Sequence, residues 1–457
     1  MPTQITEQNE SPGGRAAPLE TLPLEYAALN RPLASRFRWI VLGLVFLAIT
    51  INYIDRLVMS ILAPDLQKLY NISDIQYGYI NGAFSLAYAS GQLMAGAWLD
   101  RVGTRIGYTV SLLSWSVASM CHALARGPWG FGIVRGLLGI SESPAYPAAT
   151  KTLAEWFPKR ERALAMGFVN AGSNVGAVLA PLVVPWLALK YGWEWAFIGT
   201  GGAGLIWLFL WIPLYRRPEE HKSVSLAELR HIHSDPPEPT AKVRWRTLLI
   251  FPQTWGFAIG KFLTDSMWWF YMTWFPKFLF DHHQLDLKHI GLPLVIVYLM
   301  ADIGSIAGGG MSSFMLHRGW SVNAARKTAL LIPSLAILPV MFSQEVSGLW
   351  SAVFLLGLAT ASHQAFSSNL YTLVSDTFPK RAVGSVAGIG GTCGYIGATI
   401  FAIIVGYAVD KHQNYTLPFV CSALAYLVAF LCIQFLMPRL EPAAIGDASA
   451  SPDAQAR

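Results

Sequence analysis

Residues 39–63 read WIVLGLVFLAITINYIDRLVMSILA, and only Asp55 and Arg56 in this segment are charged. A helix rises about 1.5 Å per residue, so about twenty apolar residues cross the roughly 30 Å hydrocarbon core of a membrane. Further apolar segments lie at residues 76–98, 106–126, 129–149, 163–189, 194–214, 251–280, 289–316, 327–344, 347–373, 383–409 and 416–437. The pattern predicts an all-α integral membrane protein with twelve transmembrane helices, because a membrane barrel would show short alternating strands.

The composition supports insertion into a membrane. Of the 457 residues, 53% are apolar and 13% are charged, whereas a typical soluble protein has roughly 25% charged residues. A soluble chain of this composition would expose large apolar patches to water. The net charge of +6 does not predict nucleic-acid binding, because the basic residues fall mainly in short loops between apolar segments.

The sequence contains no pattern typical of an enzyme or a metal site. HExxH, GxSxG and a Walker lysine are absent. The four cysteines lie inside apolar segments without CxxC spacing, so we interpret them as small core residues. We therefore expect no enzymatic activity, no cofactor and no bound metal.

The distribution of basic residues predicts the orientation in the membrane. The short loops after spans 2, 4, 8 and 10 contain eleven Lys and Arg residues, and the opposite loops contain six. The positive-inside rule then places both termini and the central loop in the cytoplasm. The expected division is a disordered tail (1–35), a six-helix half (36–214), a linker (215–250), a second six-helix half (251–438) and a disordered tail (439–457). We expect the three His of the linker at the surface.

A duplicated motif supports the division into halves. Glu155-Trp-Phe-Pro-Lys-Arg160 returns 221 residues later as Asp376-Thr-Phe-Pro-Lys-Arg381. The same offset carries Gly176-Ala177 onto Gly397-Ala398. Two pseudo-symmetric six-helix halves related by an axis along the membrane normal are the plan of certain secondary transporters, which hold substrate between the halves near the bilayer midplane.

Charged residues inside the first-half spans are the main functional candidates. An ionisable group at the bilayer centre costs about 2.5–3.5 kcal/mol and marks a functional site by default. Counting depth along spans 1 and 4 predicts two cross-helix pairs, Asp55–Arg135 and Arg56–Glu142. A carboxylate that loses its arginine can take up a proton and free the guanidinium for a substrate carboxylate. The alternative is a structural pair that only orients the helices.

The second half has its own charged residues within the spans. Asp265 follows Lys261 by four residues, so the simplest interpretation is a pair that neutralises itself on one helix face. Asp302 begins a stretch of small residues, and we interpret it as part of close helix packing.

The loop between spans 2 and 3 reads Gly96-Ala-Trp-Leu-Asp100-Arg101-Val-Gly103-Thr-Arg105 and resembles the GxxxDRxGxR loop of the major facilitator superfamily. The resemblance covers all twelve spans and implies the major facilitator fold with transport by alternating access. It also implies that Asp100, Arg101 and Arg105 latch the cytoplasmic ends in one state, as a gate and not as a binding site.

A narrower resemblance is to the anion:cation symporter family, particularly its bacterial hexuronate (galacturonate/glucuronate) transporters. It is carried by Asn52-Tyr-Ile-Asp-Arg56, Gly78-Tyr-Ile, Ala87-Tyr88, Arg135–Pro147, Phe168–Ala177, Lys261–Trp268 and His363-Gln-Ala365. This resemblance implies that Arg56 binds the substrate carboxylate. It also implies that Asp55 and Glu142 carry protons and that Tyr88 contacts the substrate. Lys261 stands where the family leads us to expect Arg.

Other polar residues at span depth are candidate contacts for the hydroxyls of a sugar acid. They are Tyr88, Asn170, Ser173, Asn174, Gln364, Ser367, Ser368 and Asn369, and the alternative for each is a hydrogen bond between helices. Trp268 is either a ring for the apolar face of a sugar or a packing residue. His363 lies 221 residues after Glu142, so it is either a titratable cavity residue or a hydrogen-bonded core histidine.

Together these features predict a proton-coupled symporter that imports a sugar acid across a bacterial inner membrane, with a hexuronate as the expected substrate. The partners expected are a small anion, protons and the lipid bilayer, with no nucleic acid, and the protein is expected to be a monomer. One alternative is another organic anion such as an aldonate, an aldarate or an aromatic acid. A second alternative is a sugar-acid sensor that does not transport.

Overall fold

The computed structural model describes residues 35–235, 245–412 and 414–443, and within these ranges the regular structure is entirely helical. The predicted tails at 1–34 and 444–457 lie outside the described residues, as do the side chains of Lys380 and Arg381. The all-α fold predicted from the sequence is confirmed.

The first half contains seven α-helices. They are α1 (Phe37–Tyr70), α2 (Asp74–Val102), α3 (Thr104–Cys121), α4 (Gly127–Glu142), α5 (Ala145–Trp156), α6 (Lys159–Tyr191) and α7 (Trp193–Leu214). Helices α4 and α5 together form predicted span 4. The break between them includes Pro144, which has no N–H to continue the hydrogen-bond pattern of α4.

The linker and the second half follow the same plan. The linker contains a 3₁₀ turn (Pro218–Glu220), α8 (Leu226–Ile232) and α9 (Trp245–Leu248). The second half contains α10 (Pro252–His283), α11 (Gly291–His317), α12 (Val322–Ala336) with a 3₁₀ turn (Leu338–Phe342), α13 (Leu349–Thr377), α14 (Lys380–His412) and α15 (Thr416–Leu436). Counting α4 with α5, and α12 with its 3₁₀ turn, the described residues form twelve long helical segments.

Eight helices in the described part of the chain are long and apolar enough, each taken alone, to cross a membrane. Predicted spans 2, 3, 4 and 7 fall outside this group. Span 4 is divided into the shorter helices α4 and α5, and α2, α3 and α10 are less apolar on average than the eight. These less apolar segments are tolerated because neighbouring helices cover their polar groups.

Helix ends follow local sequence signals. Asn71 adopts the left-handed conformation (φ 51°) and ends α1. Ser73 then begins α2 with a capping box, in which its hydroxyl accepts from the N–H of Gln76 and the Gln76 side chain accepts from the N–H of Ser73.

The duplication seen in the sequence is present in the helices. Helices α6 and α14 each contain 33 residues and begin directly after a Phe-Pro pair. Phe157 and Phe378 both adopt an extended backbone at the end of the preceding helix. Because Lys159 and Lys380 differ by the 221-residue offset, the repeat sets the same helix boundary in both halves.

The two halves meet on one side of the molecule. We call the side on which α1 begins and α15 ends the terminal face, and the opposite side the far face. Near the far face, a Cβ atom on Gly78 of α2 would lie 2.6 Å from the carbonyl oxygen of Ala402 of α14, so only glycine allows this approach. Tyr77 donates to the carbonyl of Thr273 across the halves at 2.9 Å.

The far-face contact also contains a buried ion pair. The ammonium of Lys277 on α10 lies 3.1 Å from Asp74 of α2 and also contacts Asp281 one turn further along α10. Gln67 at the end of α1 donates to the same Asp74 carboxylate at 2.9 Å. The far face is therefore closed by apolar, hydrogen-bonded and ionic contacts between the halves.

The described part of the linker packs on the first half. His221, expected at the surface, is buried; its ring centre lies 4.1 Å from that of Phe37, and it contacts the Leu214 carbonyl at 3.0 Å. Glu228 of α8 accepts from the backbone N–H groups of Phe37 and Arg38, so it caps the start of α1. The expectation for His221 is corrected, because Phe37 and Trp156 of the first half pack against its ring.

Residues 439–443, predicted to belong to a disordered tail, have defined contacts. Leu440 donates from its backbone to Asn323 at 3.2 Å, and Ala443 donates to the carbonyl of Thr377 at 2.8 Å. Residues 439–443 are therefore packed against the terminal face of the second half.

Candidate functional site

Arg56 and Glu142 form a buried salt bridge between α1 and α4. Nη2 and Nε of Arg56 lie 2.7 and 2.9 Å from Oε2 of Glu142, and Nη2 lies 3.2 Å from Oδ1 of Asn52. Glu142 is the last residue of α4, immediately before the break at Pro144. The predicted Arg56–Glu142 pair is confirmed, and it lies in the middle of the bundle where water is excluded.

Aromatic rings from both halves surround the Arg56 guanidinium. Its Cζ lies 5.1 Å from the ring centre of Tyr53, 5.3 Å from Phe84, 5.0 Å from Tyr88 and 5.0 Å from Trp269. Rings at these distances attract a cation through their negative faces. We call these four residues the aromatic cage. Because Trp269 belongs to α10, the cage is complete only when the two halves are together.

Tyr395 of α14 extends the cage into the second half. Its ring stacks on Tyr88 at 4.2 Å and lies 5.4 Å from Trp269. Tyr88, predicted to contact substrate, is therefore held between the Arg56 guanidinium and an aromatic ring of the opposite half.

The second predicted pair, Asp55–Arg135, is wrong in this structure. The described residues show no ion pair between them; Oδ1 of Asp55 accepts from Ser119 at 3.0 Å, and Asp55 also contacts Thr200. Arg135 instead donates from Nη2 to the backbone carbonyl of Arg56 at 2.9 Å. Asp55 and Arg135 were predicted to lie at the same depth in the membrane. The Asp55 side chain, however, projects from α1 toward α3 and α7 and away from α4.

Several buried polar atoms around this core have no hydrogen-bond partner among the described residues. They are Nδ2 of Asn52, Oδ2 of Asp55, Nε and Nη1 of Arg135, and Oε1 of Glu142. A small cavity beside them, with room for about one water molecule, is lined by residues that include Arg56, Asn81, Phe84, Arg135, Trp269 and Met272. A polar ligand or an ordered water needs both hydrogen-bond donors and hydrogen-bond acceptors, and these buried atoms supply both.

The second half has a counterpart of the Arg56–Glu142 contact. Trp268 of α10 stacks on His363 of α13 at 4.7 Å with the rings nearly parallel. Nδ1 of His363 lies 2.9 Å from the hydroxyl of Tyr426. His363 is thus a buried, hydrogen-bonded histidine, which was one of its two predicted roles, and Trp268 packs on it.

The polar candidates on α6 differ in exposure. Asn170 is exposed, Asn174 is half-buried and Ser173 is buried. Ser173 donates to the carbonyl of Asn170 at 2.6 Å and also contacts Tyr146, which in turn contacts Tyr53 of the aromatic cage. The three residues therefore lie on the part of α6 that leads to the cage.

The polar candidates on α13 divide into two groups. Gln364 and Ser368 are half-buried and share a helix face with the exposed Tyr371, at spacings of four and three residues. Asn369 is fully buried and donates to the carbonyls of Gly308 and Ala365 at 2.8 and 2.9 Å. The amide of Asn369 therefore joins α13 to α11, which corresponds to the interhelical alternative.

Sequence reasoning missed Tyr53, Phe84 and Tyr395, and it did not place Trp269 beside Arg56. Aromatic side chains are abundant in membrane spans, so their type alone does not separate cage residues from packing residues. Tyr53 and Phe84 could have been suggested by their positions on α1 and α2, close to residues that were predicted. Tyr395, and the contact of Trp269 with Arg56, could be found only once the second half was packed against the first.

The gate loop makes contacts within the first half in this structure. Asp100 lies 2.9 Å from the Lys151 ammonium, and Arg105 donates to the carbonyl of Ile212 at 2.7 Å. Arg101 is exposed at the end of α2. These contacts place the predicted gate residues on the terminal face, while the far face is the one closed across the halves.

The chain belongs to the Major Facilitator Superfamily, whose sequence profile matches residues 45–402. It is a multi-pass membrane transporter and not an enzyme.

Two relatives and one solved structure extend this assignment. The "Hexuronate transporter" of Escherichia coli (strain K12) is 34% identical over 382 residues, covering 82% of this chain and 88% of the relative. The "Probable galactarate/D-glucarate transporter GarP" of the same strain is 29% identical over 427 residues, covering 88% and 96%. The crystal structure of a bacterial homologue of the human lysosomal transporter Spinster superimposes with a TM-score of 0.68 at 20% identity, covering 88% of this chain and 95% of that one. The last similarity supports the fold.

Proposed function

We propose that this protein is a proton-coupled symporter that imports a sugar acid, with a hexuronate as its substrate. The observation that carries the proposal is the buried Arg56–Glu142 salt bridge inside a cage of aromatic rings contributed by both halves. A buried ion pair is weak evidence for stability, because desolvation offsets most of the attraction. In a transporter, the same pair can exchange partners.

The exchange would proceed through the two carboxylates that compete for Arg56. The carboxylate of the substrate takes the place of Glu142 on Arg56, whose planar guanidinium binds carboxylates in a bidentate manner. Glu142 is then buried without its cation, so binding one proton restores its neutrality. One anion and one proton therefore enter together with no change in the charge of the site.

Asp55 is a candidate for a second proton. It is fully buried, its Oδ2 atom has no hydrogen-bond partner among the described residues, and Ser119 donates to its Oδ1 atom. A carboxylate in these surroundings is stabilised in its neutral form. Because Asp55 is not paired with Arg135, it would be coupled to the substrate through its neighbour Arg56 on α1.

The aromatic cage suits a sugar acid better than a purely apolar anion. Aromatic faces pack against the C–H surface of a sugar, and the surrounding hydroxyl and amide groups orient its hydroxyls. Tyr88 and Trp269 supply rings beside the guanidinium, and Asn170, Ser173 and Gln364 supply polar groups on neighbouring helices. The similarity to the hexuronate transporter of Escherichia coli supports the same substrate class.

The remaining parts of the proposal follow from topology. The terminal face would be cytoplasmic, because its loops carry the excess of Lys and Arg, and the membrane would be a bacterial inner membrane. Asp100, Arg101 and Arg105 would join the terminal ends of the halves when the cavity opens to the far face. We expect the monomer to be the transporting unit, because each chain contains both halves.

Uptake of radiolabelled galacturonate into proteoliposomes tests the function. An inward proton gradient should drive accumulation above the equilibrium level, and collapse of the gradient with a protonophore should abolish it. A sensor would bind galacturonate without any uptake, and a uniporter would equilibrate it without accumulation. Accumulation of an aromatic acid but not of galacturonate would support the alternative substrate class.

A further inference from the structure

A second polar cluster lies in the half that faces the aromatic cage. Nζ of Lys261 is 2.7 Å from Oδ2 of Asp265, one turn further along α10, which confirms the predicted pair. The ring centre of Tyr371 lies 4.7 Å from the same Nζ. Lys261 is buried, whereas the Asp265 side chain is 14% exposed.

The Asp265 carboxylate lies between α10 and α14, and α14 is the helix that packs on α2 of the first half. Helix α10 is an inner helix; in the described residues, Trp255 is its one large apolar side chain that is exposed. Asp265 lies four residues, or about 6 Å, before Trp269 of the aromatic cage. A Cβ atom on Gly394 of α14 would lie 2.5 Å from Oδ2 of Asp265, so the lack of a side chain there leaves room for this carboxylate.

An unpartnered group of the first half points to the same place. A Cβ atom on Gly391 of α14 would lie 3.4 Å from Nε2 and 3.5 Å from Oε1 of Gln92 on α2. Oε1 of Gln92 is buried and has no hydrogen-bond partner among the described residues. Buried acceptors without partners are costly, so this atom is suited to accept from a ligand hydroxyl.

The spacing along α14 is on the scale of a sugar acid. Gly391 precedes Tyr395, which stacks on the cage residue Tyr88, by four residues or about 6 Å along α14. A six-carbon acid is of about this length, since each of its carbon–carbon bonds is about 1.5 Å. An acid held by its carboxylate at Arg56 would therefore extend along α14 toward Gln92 and Asp265.

We propose that Gln92, Lys261 and Asp265 form the subsite for the uncharged end of the substrate, and that Asp265 excludes acids with a second carboxylate. This inference rests on the proposed function. The Lys261–Asp265 pair is neutral, so it offers hydroxyls both a donor and an acceptor. A second carboxylate would meet the negative charge of Asp265, and Lys261 is already neutralised by that same residue. Like charges in a desolvated site repel strongly.

The inference predicts how one substitution changes specificity. Asp265→Asn removes the negative charge and leaves Lys261 free to pair with a second carboxylate. The affinity for galactarate relative to galacturonate should rise by about tenfold or more, because specificity is a difference of two affinities. Asp265→Ser removes the same negative charge with a smaller side chain, and it is the variant to test if Asp265→Asn does not fold.

The experiment measures binding of galacturonate and galactarate to purified protein by calorimetry. Asp302→Asn, which removes a different carboxylate within the second half, is the control and should leave the ratio unchanged. The double variant K261M/D265N should bind galacturonate but should not show the increased affinity for galactarate, because it lacks the ammonium of Lys261.

Three outcomes decide the inference. A raised ratio in Asp265→Asn supports it. An unchanged ratio in a variant that still binds galacturonate overturns it, as does wild-type protein that binds galactarate as tightly as galacturonate. Wild-type protein that binds neither acid contradicts the proposed substrate class itself, so the two failures are distinguishable.

Discussion

Nη2 of Arg56 lies 2.7 Å from Oε2 of Glu142, with the arginine side chain 4% exposed and the glutamate side chain 0% exposed. Removing one partner from such a pair leaves an uncompensated buried charge and costs about 3–5 kcal/mol. Glu142 can therefore leave Arg56 only if another anion replaces it and a proton neutralises it. In the proposed mechanism, this pair couples the two events.

Replacing Glu142 with Gln should separate binding from proton coupling. The neutral amide keeps the shape of the side chain and leaves Arg56 free for a substrate carboxylate, but it carries no proton. We expect uptake driven by a pH gradient to be lost, while exchange of internal for external galacturonate continues. Proteoliposome uptake and counterflow measure the two activities.

Glu345→Gln, at an exposed loop position on the far face, is the matched control for the Glu142 variant. It should retain both activities. Accumulation of galacturonate against its gradient by Glu142→Gln would show that the coupling proton is carried elsewhere.

Replacing Arg56 with Lys should weaken substrate binding despite the conserved charge. An ammonium is a point charge and cannot form the paired N–H···O bonds of a planar guanidinium. We expect the dissociation constant for galacturonate to rise by about tenfold or more. Calorimetry on purified protein measures it, with the exposed Arg230→Lys as control; equal affinity in Arg56→Lys and wild type would contradict the role of Arg56 as the carboxylate ligand.

Replacing Asp74 with Asn should favour opening of the far face. The substitution removes the Lys277–Asp74 pair between the halves, while Lys277 keeps Asp281 on its own helix. Because Lys277 retains Asp281, the loss should be smaller than the roughly 3–5 kcal/mol of an isolated buried pair. A loss of about 1 kcal/mol would raise the open population about fivefold. Thiol labelling from the far face, at a cysteine introduced for Thr273 in a background without other cysteines, reports the change.

The control for the Asp74 variant is Asp286→Asn, which removes an exposed far-face carboxylate that pairs with His289. Its labelling rate should match that of the parent. Equal rates in the Asp74 variant and the parent would show that the apolar contacts, such as that at Gly78, suffice to hold the far face closed.

Replacing Glu228 with Gln should destabilise the start of α1 in a pH-dependent manner. Burial acts to raise the pKa of Glu228, but the hydrogen bonds from Ser35 and from the N–H groups of Arg38 and Phe37 outweigh it and hold the pKa below its usual value. A lowered pKa in the folded state stabilises the protein above the ordinary glutamate pKa of about 4.3. This contribution is lost as the pH falls through the lowered value.

Thermal unfolding in detergent at several pH values tests this prediction. At pH 7 the variant should lose about 1 kcal/mol of unfolding free energy, the typical value of a helix cap. The difference from wild type should shrink as the pH falls through the folded-state pKa of Glu228, since the wild-type carboxylate is then also neutral. The exposed Glu220→Gln should show no difference, and a gap that stays constant with pH would exclude a role for the charge.

Much of the architecture followed from the linear sequence. Apolar segments of about twenty residues specify helices in lipid, because an unpaired backbone amide in hydrocarbon is too costly. The Phe-Pro pairs at 157–158 and 378–379 defined equivalent boundaries in both halves, because the residue before a proline favours the extended conformation that Phe157 and Phe378 adopt. Depth along two spans, together with the helix faces and the reach of the Arg56 side chain, predicted the Arg56–Glu142 pair.

Packing decided the rest. Rise per residue gives depth, but the direction in which a side chain points around its helix matters only in relation to neighbouring helices, and so Asp55 met Ser119 and not Arg135. Trp269 and Tyr395 come from the second half and reach Arg56 or Tyr88 only when the halves are together. Hydropathy determines which segments enter the membrane, whereas contacts between residues more than a hundred positions apart depend on how the helices pack.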